Sequence, residues 1–329
     1  YALDDAEVRA YFSLENVLQG AFTVAHKLYG VTFTELDNLP VYHPEVRTFE
    51  VKDEDGSHLG IFYADYHPRP GTRGGAWSSR YRPQRMKDRK DIRPVVVNVG
   101  NFSRPAGDTP ALLSLDEVET LFHELGHGLN SLFSRIRYSG LSTIQWDAVE
   151  LGSQIMENWV LEPEVLKLYA RHWKTDEVIP EALVQKLRDA RLFNQGYATV
   201  EYLAACYLDM DWHTLEKAPD LDAAAFETRA MDGIGLIAEI PPRYRSPYFS
   251  HVFAGGYASG YYGYIWAEVL DADAFAAFQE KGLFDRETAT SFRKNILERG
   301  GTADAMDLWK AFRGREPDVE PLLERRGLK

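Results

Sequence analysis

Apolar residues open the chain at helical spacing. Val8, Tyr11, Phe12, Val17, Leu18, Phe22, Ala25 and Leu28 recur mostly at intervals of three and four, which predicts an amphipathic helix over residues 4–30 closed by Gly30. The period then changes. Segments 46–51, 59–66 and 95–102 are rich in β-branched and aromatic residues, with Asp55-Gly56 as a turn between the first two, and they predict a small sheet. Between them, 68–93 is dense in Pro, Gly and Arg and is expected to be one long loop, of a length that is more often functional or mobile than idle. Its basic run, 80–93, is expected to be solvated, with contact to an anion or a peptide carboxylate as the alternative. After Ser114 the pattern is helical almost to the end, interrupted at Pro163, Pro180, Gly196, Pro219, Pro241-Pro242 and Gly300-Gly301. The expected fold class is mostly α (α+β), many helices with one small β-sheet near the N-terminal part.

Composition narrows the partners. The chain has 329 residues, 45% hydrophobic and 26% charged, which is ordinary globular usage and sets aside disorder, collagen and coiled coil. Lys and Arg number 37 against 50 Asp and Glu, a net charge of -13; such a surface repels phosphate backbones and anionic lipid, so neither nucleic acid nor a membrane is an expected partner. No stretch reaches the length of an apolar membrane span. The single cysteine, Cys206, can form no internal disulfide and reads as a small buried hydrophobe.

The chemistry starts at Ser114. Ser114-Leu115-Asp116-Glu117 is a capping box that opens a helix. That helix carries His123-Glu124-Leu125-Gly126-His127, in which two histidines four apart lie on one face and can reach one divalent ion, while Glu124 projects near enough to handle its bound water. Two imidazoles leave zinc short of the usual three protein ligands. Residues 147–159 read as a second helix on which Glu150, Gln154 and Glu157 share a face; Glu150, 23 residues beyond His127, is the candidate third ligand, and Glu157 or Asp147 could bond the far nitrogen of a ligating histidine. Farther on, residues 244–264 hold six of the 18 tyrosines. Beyond Gly255-Gly256, Tyr257, Tyr261 and Tyr264 fall at one helical face, where phenols could stabilise an oxyanion or could equally form a core stripe.

Together these segments resemble the thimet oligopeptidase family of zinc metallopeptidases, and most nearly its bacterial peptidyl-dipeptidase type. The resemblance runs through VYHPEVRTFEV, GGAW, PALLSLDEVETLFHELGHGL, VELGSQIMENW, RYRSPYFSHVFAGGYASGYYGYIW and FRGREPDVEPLLERRGL, essentially the whole chain. It departs at Leu125 and Asn130, neither a ligand position, in a shorter loop around Ser142 and Thr143, and at Gly152, where a proline is common.

The resemblance implies a zincin-like catalytic domain over 1–329 with one Zn2+ held by His123, His127 and Glu150. Glu124 would activate the zinc-bound water and later shuttle its proton, and His251, Tyr257 and Tyr264 would contact substrate and transition state. Substrates would be short peptides, cut to release C-terminal dipeptides. Reading the terminal carboxylate would fall to Arg243, Arg245 or the basic loop, with Tyr261 beside the substrate. The competing expectations are an endo-acting oligopeptidase, or a metal-holding peptide-binding module with little turnover. Tyr1 stands near the midpoint of the family pattern, so an N-terminal helical half is an expected partner if the full-length protein carries one. The expected compartment is the cytoplasm, with the periplasm as the alternative, and the tryptophans are expected to be structural.

Overall fold

The computed structural model describes residues 3–217, 220 and 222–329, and the predicted break at Pro219 lies outside them. The predicted opening helix is two helices, Asp5–Arg9 and Leu14–Tyr29. Ser13 turns to extended backbone and caps the second by accepting from the Asn16 amide. Tyr11 and Phe12 keep the helical period through the break, so spacing alone passes over it, whereas the capping serine marks it. Gly30 ends the second helix at a φ of 74°, a conformation that favours glycine.

Seven strands follow: β1 (Thr32–Leu36), β2 (Arg47–Lys52), β3 (His58–Asp65), β4 (Trp77–Arg82), β5 (Arg85–Lys87), β6 (Lys90–Ile92) and β7 (Val95–Val99). Five form one sheet in the order β1-β2-β3-β7-β4. β3 and β7 run parallel and the other neighbours antiparallel. The three predicted strands are β2, β3 and β7. The expected single loop over 68–93 is corrected: β4 forms one edge of the sheet, and β5 and β6 make a separate hairpin. Asp88 and Arg89 turn that hairpin with φ of 50° and 63°, as a tight primed turn requires. Four of its six strand residues are charged and all but Ile92 are exposed, so no alternation betrayed them.

Among the described residues 13 α-helices accompany these strands, which bears out a mostly helical fold with its sheet near the N-terminal part. The central one spans Leu115–Phe133 and starts on the predicted capping box: the Ser114 hydroxyl accepts from the Glu117 amide at 3.2 Å, and the Glu117 carboxylate accepts from the Ser114 amide at 2.7 Å. It buries Val118, Leu121, Phe122, Leu125, Leu129 and Leu132 against the opening helix and the sheet in one continuous core. A second, smaller core gathers Ala204, Ala205, Cys206, Leu208, Phe226, Phe249, Val252 and Tyr261. There the Cys206 thiol is buried as expected, and burial pushes its pKa up to about 11.

The central helix crosses the next important element, helix Leu151–Glu157, at two glycines. A Cβ on Gly126 would stand 2.3 Å from the Gly152 carbonyl oxygen and 2.6 Å from the Ser153 Cα, so only glycine permits this approach. On the opposite side of the helix a Cβ on Gly128 would meet Phe62 at 3.4 Å, an ordinary contact. Gly126→Ala is therefore expected to cost about 1–3 kcal/mol of stability and to weaken divalent-metal binding at least tenfold, while Gly128→Ala changes both far less. Thermal unfolding and calorimetric metal titration of the two variants check this.

Candidate metal centre and active site

His123 and His127 stand one turn apart on the central helix, with ring centroids 4.9 Å apart. Glu150 comes to them from across the glycine crossing. Its Oε2 lies 3.3 Å from His123 Nε2 and 3.1 Å from His127 Nε2, and one donor atom from each of the three residues falls within 4.8 Å of the others. Imidazole and carboxylate donors bound tetrahedrally at about 2.0–2.2 Å stand about 3.3 Å apart, so this set fits a divalent cation such as zinc.

Glu150 is not inside a helix as expected; it precedes Leu151–Glu157, after a short turn at Trp146–Ala148. The predicted face survives nonetheless. Glu157 bonds His123 Nδ1 at 2.6 Å, which leaves Nε2 for the ion. The Ser153 hydroxyl donates to Glu150 Oε2 at 2.9 Å, and the Gln154 amide donates to the Tyr264 carbonyl at 3.1 Å. Burial pushes the Glu150 carboxyl up, but the charges and hydrogen bonds of His127 and His123 outweigh it and hold it well below the usual carboxylate range.

Glu124 is buried beside this cluster at the floor of the cleft. Burial pushes its carboxyl above the usual range, against the opposing charges of His123 and His127. The opposite wall comes from the tyrosine segment, and here a helical stripe is corrected. Residues 254–262 are turns and bends, and the helix Gly263–Lys281 begins only just before Tyr264. Tyr257 and Tyr264 still meet, with stacked rings 5.2 Å apart. The Tyr257 hydroxyl donates to Glu150 Oε1 at 2.5 Å. Burial, followed by the Glu150 charge, keeps both phenols far above their ordinary pKa, so they remain neutral donors. Burial and the nearby Arg243 charge lower the His251 imidazole, which favours its neutral form.

The cleft has a volume of about 920 Å³ and is lined by His123, Glu124, His127, Glu150, His251, Tyr257 and Tyr264. Three expected substrate contacts are not in it. Tyr261 is 3% exposed and belongs to the second core. Arg245 is paired with Glu227. Neither it nor Arg243 lines the cleft. Conversely, Trp77 and Trp146, read as merely structural, both line it, as do Tyr244, Arg73 and Arg80. Trp146 packs edge-on to Tyr257 at 4.4 Å, and a Cβ on Gly260 would strike its indole nitrogen at 2.5 Å. The signal for Trp77 lay in the GGAW motif. For Trp146, four residues before Glu150, only proximity to the metal segment could have pointed to it.

Along this cleft β4 has β7 on one side and, among the described residues, no strand on the other, so its outer amides and carbonyls can pair with an extended peptide. No helix among the described residues is long and apolar enough to cross a membrane.

The chain is 45% identical to a dipeptidyl carboxypeptidase of Salmonella typhimurium, over all of this chain and 49% of that protein. It is 44% identical to oligopeptidase A of Escherichia coli, again over all of this chain and 49% of that protein. It thus spans about half the length of the curated relatives it matches. In fold it is similar to a Pyrococcus furiosus carboxypeptidase, with a TM-score of 0.55 and 13% identity over 97% of this chain and 59% of that one. It is also similar to PZ peptidase A, with a TM-score of 0.53 and 15% identity over 80% of this chain and 43% of that one. The sequence pattern of peptidase family M3 matches residues 1–328, and the chain belongs to that family.

Proposed function

We propose that this chain carries the catalytic site of a zinc-dependent peptidase acting on short peptides and releasing dipeptides from their C-termini. The observation that carries the reading is the convergence of His123, His127 and Glu150 beside the buried Glu124, at the floor of a cleft bordered by a free strand edge. The names of its relatives, a dipeptidyl carboxypeptidase and an oligopeptidase, support the same class.

Zinc on these ligands would supply Lewis acidity, lowering the pKa of a water and polarising the scissile carbonyl. The protein does the rest. β4 holds the peptide extended by backbone pairing. Glu124 accepts the proton of the attacking water and delivers it to the leaving amine nitrogen. The Tyr264 hydroxyl and the His251 imidazole donate to the oxygen that becomes negative, and both are neutral, so they add no charge to the resting site. Tyr257 has a different emphasis: its bond to Glu150 orients the ligand carboxylate and leaves it a secondary contact with substrate.

Glu124→Gln is expected to lower kcat by about 10²–10⁴-fold with stoichiometric zinc retained; steady-state kinetics with elemental analysis decides it. Should that variant keep full activity, Glu124 is not the base; should zinc-loaded protein leave free-ended short peptides intact while still binding them, the catalytic reading is wrong and a binding module replaces it. Glu157→Ala is expected to weaken zinc binding about 10–100-fold, measured by competition with a chromogenic chelator, whereas Tyr264→Phe lowers kcat about 10²–10³-fold at unchanged zinc affinity. Mass spectrometry of products from one peptide with a free and an amidated C-terminus separates the two modes of cleavage. Dipeptides from the free form alone support exo-cleavage, and internal cuts in both support the oligopeptidase alternative.

A further inference from the structure

We infer that Arg73 reads the terminal carboxylate of the peptide and so sets where cleavage falls relative to the C-terminus; this rests on the peptidase reading above. The permanent cations lining the cleft are Arg73 and Arg80. Of the other arginines near the sheet, Arg69 clamps Asp65, and Arg93 holds Asp91 and the Ser134 carbonyl. Arg73 and Arg80, by contrast, have no ion pair or side-chain hydrogen bond within the described residues. In a chain of net charge -13, two unpaired guanidinium groups facing one cleft are a recognition feature for anions, and the planar fork of arginine matches a carboxylate.

Strand direction chooses between them. A Cβ on Gly128 would lie 3.5 Å from Asn98, while Arg93 reaches the Ser134 carbonyl, so β7 runs opposite to the central helix. β4 is antiparallel to β7, with Trp77 opposite Val99 and Arg80 opposite Val96. Its Trp77 end therefore lies beside the turn that carries His123 and His127, and Arg80 lies farther toward the end of the helix. A peptide adding to the free edge in the antiparallel sense, the stabler pairing, runs with its C-terminus toward Trp77 and the loop before it. Two residues of extended peptide span about 7 Å, so a C-terminal dipeptide beyond the metal centre extends in the direction of that loop. Hydrogen bonds hold the loop in place. The Asn101 side-chain amide donates to the Arg73 carbonyl at 2.8 Å and to the Gly75 carbonyl at 2.5 Å. The backbone of Arg73 is fixed and its side chain is free.

The test uses a labelled pentapeptide with a free or an amidated C-terminus. Binding is measured by fluorescence anisotropy on zinc-loaded Glu124→Gln protein, and kcat/KM on protein with Glu124 intact. Arg73→Ala is expected to weaken binding of the free-ended peptide about 10–100-fold and to lower its kcat/KM equally, with the amide unaffected. Arg73→Lys recovers part of the loss, and Arg80→Ala does not discriminate the two ends. Equal losses for both peptides in Arg73→Ala, no preference for the free end before mutation, or a selective loss in Arg80→Ala each overturn the assignment. Failure of the intact site to hydrolyse either peptide overturns the peptidase reading instead, and the anisotropy arm still decides Arg73.

Discussion

A carboxylate that is 1% exposed and pressed against two imidazoles of the central helix is the arrangement on which the site depends. Burying such an anion costs several kcal/mol unless a cation and hydrogen bonds replace its water. Glu150 has both kinds of compensation within reach: Ser153 and Tyr257 each donate to it, and the histidine nitrogens converge where a divalent ion would sit. None of this closes without the contact of Gly126 with Gly152 and Ser153. A methyl group there would hold the two elements apart, and the third donor would fall short of the first two.

Around that contact the two hydrophobic cores take different parts. The larger one clamps the central helix between the opening helix and the sheet, which fixes the histidines and Glu124. The smaller one carries the segment of His251, Tyr257 and Tyr264 to the far wall of the cleft. The groups proposed to act in catalysis come from both and are held by packing rather than by chain proximity, and the cleft between them is the natural place for a substrate.

The tyrosine segment shows how residues of one type divide their work. Tyr261 turns inward and fills the smaller core. Tyr257 turns its hydroxyl onto Glu150, and Tyr264, stacked on it, faces the cleft. Equal spacing suggested equal roles, but the chain between Ala254 and Tyr262 is turns and bends, and each ring finds its own environment. The polar wall is divided too: Arg245 neutralises Glu227, while Arg73 and Arg80 keep their charge for the cleft.

Much of this was written locally. The capping box at Ser114 and the histidine pair one turn apart follow from helical geometry over a few residues, and the family resemblance added Glu150, so the candidate metal donors and the mostly helical fold were legible before any coordinates. The break at Ser13 and the hairpin at Asp88-Arg89 were missed because apolar spacing continued through the first and never arose in the second. Which side chains share the cleft was settled by packing. Trp146 and Arg73 enter it and Arg243, Arg245 and Tyr261 stay out, because placement there depends on how distant strands and helices meet, and sequence periodicity carries no information about distances between elements that are not neighbours in the chain.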